Sequence, residues 1–142
     1  MVIRKLPRIV GDRLRWIIRS GLNFMQIGWE QFRQLGHNNE SESRGLRLLR
    51  EWLSSEQRSQ YDAHRYFEVI GSHTGKRYRI RHGTSTNIYE LDEQGRPKVG
   101  WCFVPRDDLV AGDVMLAQKI ALETDELRAL AVARRFQSIW AA

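Results

Sequence analysis

The chain has 142 residues with 28% charged and 42% hydrophobic content, the balance of one soluble domain with an appendage. Its single cysteine, Cys102, excludes a disulfide framework within the chain and a zinc site built on several thiolates. The formal net charge is +6 and the pI near 10.0, compatible with an anionic partner such as nucleic acid or a membrane surface.

The charge is unevenly placed. Residues 1–35 hold seven Lys/Arg against two Asp/Glu, whereas residues 36–142 hold sixteen against fifteen. Residues 1–12 show no clear period, and Pro7 argues against an early helix. Residues 13–35 read as an amphipathic helix, with Leu14, Ile17, Ile18, Leu22, Met25, Trp29 and Phe32 at helical spacing. Arg13, Arg15 and Arg19 break its apolar run. The segment therefore matches no secretory signal, and it cannot span a bilayer, which takes about 20 apolar residues. The lone thiol fits a reducing cytoplasm, which is the expected location. Arg15, Trp16, Arg19 and Trp29 are the candidate contacts of this helix, with the domain, a second copy, a membrane surface or nucleic acid.

The polar run GHNNESES, Gly36 to Ser43, reads as a linker. The expected organisation is a basic helical extension over 1–36, a linker over 37–43 and an α+β domain over 44–142. Within that domain a helix over 44–53 points Leu46, Leu49 and Leu53 inward. Ser54 with Gln57 three residues on forms a capping box, and the next helix covers 55–64.

The stretch from Phe67 to Gly83, FEVIGSHTGKRYRIRHG, reads as a tight hairpin. With Ser72 to Gly75 as the loop, Phe67 faces Ile80 and Val69 faces Tyr78 on an apolar face. Glu68 faces Arg79, Ile70 faces Arg77 and Tyr66 faces Arg81 on the other. A third strand over 87–91 ends at the turn DEQGRP, and a fourth over 101–104 ends at Pro105. Asp113 is the expected N-cap of a long helix over 114–136, with a break available at Thr124–Asp125. The fold class is α+β: N-terminal helices, a four-stranded antiparallel meander, and a long C-terminal helix packed on the sheet.

Five groups of residues invite a chemical reading. Arg77, Arg79 and Arg81 alternate along one side of a strand, about 6.5–7 Å apart, the same order as the spacing of successive phosphates on a nucleic-acid strand. With Lys76, and with Tyr66 able to stack on a base, they form a candidate anion- or nucleic-acid-binding face. The internal alternative is that Glu68 pairs with Arg79 and Tyr66 packs under Arg81. Among the histidines, His37 sits in the linker, His73 at the hairpin tip, and His64 and His82 near the other end, close to Asp62. They lack the tight spacing of a metal site. Cys102, in the apolar run WCFV, reads as a packed thiol rather than a nucleophile. Asp107, Asp108 and Asp113 precede a helix and suit its dipole better than a cation. The amphipathic extension is the fifth group. No Walker loop, G-x-S-x-G or dinucleotide fingerprint is present, so no cofactor and no catalytic residue are expected.

Tyr66 to Val69 with Gly71, Thr74–Gly75, Arg77 to Ile80, Asn87, Cys102–Phe103 with Pro105, and the run GDVMLAQK from Gly112 together resemble an uncharacterised small α+β domain family of bacterial and phage proteins. The resemblance spans about residues 48–133. It implies one α+β unit and brings no catalytic residues. The leading expectation is a non-enzymatic binding or accessory domain for an anionic partner, nucleic acid first. The alternative is a protein-interaction or membrane-surface domain, or a homo-oligomer, acting through the N-terminal helix.

Overall fold

The computed structural model describes residues 39–105 and 108–137. The amphipathic segment over 13–35, including Arg15, Trp16, Arg19 and Trp29, lies outside the described residues, as do His37 and Asp107.

Helix α1 covers residues 39–52. Residues 39–43, expected in the linker, are therefore helical: Glu40 and Glu42 suit a helix N-terminus, and Arg44 pairs with Glu40 one turn back. Leu49 and Leu53 are buried and Leu46 packs beside them. Ser54 and Gln57 close the predicted capping box at the start of α2, Ser55–His64, and an Arg50–Asp62 ion pair ties α2 to α1. The helix ends at Arg65 in the left-handed conformation, φ 60°, and the chain turns directly into the sheet.

The sheet has five antiparallel strands in chain order: β1 Tyr66–Ile70, β2 Arg77–Arg81, β3 Ile88–Leu91, β4 Pro97–Cys102 and β5 Arg134–Gln137. The β1–β2 register agrees with the expected hairpin at all five pairs. Phe67, Val69, Tyr78 and Ile80 are buried on one face, where they meet Met115, Leu122 and Ala129 from the helices that follow.

Further expectations are corrected. β4 starts at Pro97 rather than at residue 101: proline is tolerated as the first residue of a strand, and Phe103 and Val104 leave the sheet. The long helix over 114–136 is two helices, α3 Ala111–Thr124 and α4 Glu126–Val132, interrupted at the anticipated Thr124–Asp125 position. Residues 134–137 then form β5, a fifth strand where four were expected. Its sequence RRFQ is short and polar, as edge strands tend to be, and it follows a helix-forming run that masks it.

Asp113 is not the N-cap of α3. Val110 holds that position without a side-chain cap, and Glu42 from α1 accepts the Ala111 N–H at 3.1 Å instead. The N-terminus of one helix is thus capped by a carboxylate from another, satisfying a donor that has no partner within the helix.

Candidate functional site

Cross-strand partners share a face of the sheet, so the registers place every side chain. The helices cover the face of Phe67, Val69, Tyr78, Ile80 and Ile88. The opposite face carries Ile70 and Arg77 near the hairpin loop and two further rows. One runs Glu68, Arg79, Tyr89, Gly100, Phe136 across all five strands. The other runs from Tyr66 and Arg81 on β1 and β2 to Cys102 and Arg134 on β4 and β5.

The arginines of this face differ from one another. Arg79 is committed internally: it donates to Glu68 Oε1 at 2.8 Å and to the Gly95 carbonyl, and its guanidinium lies 4.4 Å over the Tyr66 ring. The stack on Tyr66 thus comes from Arg79, where Arg81 had been expected. The His64 ring lies nearly parallel to Tyr66, with centroids 5.3 Å apart. The π-surface of Tyr66 is therefore already engaged. Lys76 pairs with Glu90 at 2.8 Å, which neutralises a carboxylate that β3 places on the helix-covered face. Arg77 is more open and reaches Glu68 only at 4.0 Å. Arg81 and Arg134 are exposed, and neither has an ion-pair partner among the described residues.

Two aromatic residues of this face escaped the sequence reading. Tyr89 and Phe136 are half-buried and meet edge to face, with centroids 5.8 Å apart and planes at 82°. A Cβ at Gly100 would fall 2.1 Å from Phe136 Cε2, so the phenyl ring lies directly over the glycine. Tyr89 was legible as the residue opposite in phase to Ile88. Phe136 was hidden because its strand was read as helix.

The hairpin that carries the arginines is fastened from below. Glu126, fully buried at the start of α4, accepts hydrogen bonds from the Tyr78 hydroxyl, the Thr74 hydroxyl and the backbone N–H groups of His73 and Thr74. Burial alone would raise its pKa. The four donors outweigh burial and hold the carboxyl at about 2. Burial, then the bond to Glu126, pushes the Tyr78 phenol well above its usual range. Gly71 is required beside this carboxylate, since a Cβ there would lie 2.4 Å from it. A second buried polar pair, Asn87 and Gln118, exchanges two amide hydrogen bonds at 3.0 and 2.9 Å and fixes α3 to the loop between β2 and β3.

The histidines and acids do not converge. The Tyr61 hydroxyl bonds His82 Nδ1 at 2.8 Å. Burial, then the neighbouring Arg65, lowers the His82 pKa against the pull of Glu42. His64 stacks on Tyr66, and Asp62 is taken by Arg50. Among the described residues no group of three or more His, Cys, Asp or Glu could hold a metal ion. Cys102 is half-buried at the end of β4, and Asp108 is exposed near the α1–α3 contact.

A separate groove of about 360 Å³ lies between Phe103–Pro105, Leu109 and helices α3 and α4. It is mainly apolar, and Asp125 and Arg128 are the charged residues that line it. No described helix is long and apolar enough to cross a membrane.

No family model, curated protein or solved structure matches the chain. The fold gives several of the residues behind the resemblance noted above a structural task. Gly71, Thr74 and Tyr78 meet Glu126, Asn87 pairs with Gln118, and Gly112 of α3 lies against the backbone of Gly45 in α1. These residues describe how the hairpin and helices are fastened together.

Proposed function

We propose that this is a non-enzymatic binding domain that takes an anionic partner, nucleic acid first, on the face of the sheet opposite its helices. The observation that carries the reading is the pair Arg81 and Arg134. Both are exposed on that face without an ion-pair partner among the described residues. A guanidinium held on a strand is pre-organised for a phosphate, to which it can donate two parallel hydrogen bonds. Glu68, the carboxylate in the row beside them, is matched by Arg79, so it does not repel a polyanion. The basic balance of the chain, +6, favours encounter with one. Contacts of this kind set affinity and orientation without reading sequence.

The test is binding of labelled DNA and RNA to the full chain, followed by fluorescence anisotropy between 50 and 200 mM salt. Changing Arg81→Glu and Arg134→Glu together is expected to weaken binding about tenfold or more. It should also lower the slope of log K against log salt by about 2, one for each lost phosphate contact. Unchanged affinity and slope in the double variant would remove the basis of the reading. Arg79 is not a suitable probe, because its loss leaves Glu68 unpaired and disturbs the sheet itself.

A further inference from the structure

We infer that the nucleic acid taken by this face is single-stranded, with Phe136 and Tyr89 as its base-stacking platform. The inference rests on the nucleic-acid reading of the face and adds the form of the strand. The Phe136 ring lies on Gly100, where no side chain intervenes, so one side of the ring is against the sheet and its half-exposed side faces outward. Tyr89 stands beside it, its ring plane at 82° to that of Phe136. Together they make a floor and a wall, into which a flat base fits by stacking on the phenyl ring.

The surroundings decide the class of partner. Arg81 and Arg134 lie in the neighbouring row on β2 and β5, three strand spacings or about 14 Å apart. Tyr89 lies on β3, between the two strands, and Phe136 lies on β5, two residues from Arg134. An apolar peptide would leave both guanidiniums without a counter-charge. A nucleic-acid strand supplies planar bases to the rings and phosphates to the arginines at once. In a duplex the π-faces of the bases are already stacked on one another, whereas in a single strand they can be splayed onto a protein ring. Tyr66 is occupied by Arg79 and His64, which leaves Tyr89 and Phe136.

The experiment uses the full chain with a labelled mixed-sequence 15-nucleotide strand and with the same strand annealed to its complement, at one salt concentration. The single strand is expected to bind about tenfold tighter than the duplex. Phe136→Leu and Tyr89→Leu should each lower single-strand affinity about tenfold, the usual effect of removing one stacking ring, while leaving the salt slope unchanged. Tyr89→Phe should retain wild-type affinity, which separates loss of the ring from damage to the sheet. Equal affinity for both forms together with an unaffected Phe136→Leu variant would overturn the inference and leave charge-only binding standing. Absence of any nucleic-acid binding would overturn the underlying reading, and this inference with it.

Discussion

Glu126→Ala is expected to destabilise the domain by about 3–5 kcal/mol, the range for removing one partner from a buried charged network. The reason is the number of donors that converge on one carboxylate. Two hydroxyls and two backbone N–H groups point at it. Alanine leaves them buried without an acceptor and opens a cavity. Glu126→Gln keeps the volume but turns an NH₂ group toward the donors, and is expected to cost about 3 kcal/mol. Urea unfolding of both variants, followed by tryptophan fluorescence, measures the difference. A loss below about 1 kcal/mol for alanine would mean that water satisfies the donors and that the node is not essential.

The same carboxylate makes a pH prediction. Its folded pKa, about 2, lies below the ordinary 4.5, so its contribution is fully present above about pH 4.5 and is lost as pH falls through 2. A difference of this size corresponds to about 3 kcal/mol. The advantage of the wild type over Glu126→Gln should therefore shrink steadily between pH 4.5 and 2 and be flat at neutral pH.

The clamp and the proposed binding face are mechanically linked. Tyr78 points into the core and is held there by Glu126, while its neighbours Arg77 and Arg79 point to the other face. Ser72 and Thr74 fasten the loop to the same residue, Ser72 by accepting the Glu126 N–H. Positions along β2 are thus set from beneath the sheet. The strand that carries Arg77, Arg79 and Arg81 is thereby held from below, while Arg79 is also packed on the face itself. Loss of Glu126 is expected to loosen the face as well as the fold.

Much of this was legible in the sequence because local rules agreed. The hairpin register followed from the alternation of Phe67, Val69, Tyr78 and Ile80 together with loop length, and both signals pointed to one pairing. The capping box at Ser54 needs only two residues at fixed spacing. What stayed hidden depends on distant partners. Nothing near Glu126 in the chain shows that Thr74 and Tyr78 lie above it, about fifty positions away. The α3 cap was assigned to Asp113 because a local acid was visible, whereas the working cap, Glu42, comes from another helix. β5 was missed because the alanine- and leucine-rich run before it favours helix, and only pairing with β4 makes RRFQ a strand. That one omission removed Phe136 and Arg134 from view, and with them half of the candidate face.

Gly112→Val is expected to cost about 3 kcal/mol or more, at the upper end for overpacking. Helices α1 and α3 touch through glycine. A Cβ at Gly112 would fall 2.1 Å from the carbonyl carbon of Gly45, and 2.4 Å from both its oxygen and the Leu46 nitrogen. These are backbone atoms, so no side-chain rotation relieves the clash and α1 must move away as a body. That movement would pull Glu42 from the Ala111 N–H and Leu49 from the core, so several losses follow from one substitution. The reciprocal change is milder. A Cβ at Gly45 would press chiefly on Val110 Cγ2, at 2.7 Å, a side-chain atom that can rotate. Alanine also gains about 1 kcal/mol over glycine inside a helix, so Gly45→Ala is expected near neutrality. Denaturant midpoints for the two variants give the contrast directly. Equal stability of Gly112→Val and wild type would show that α1 does not need its seat on α3, and would detach the cap from the account of how α3 begins.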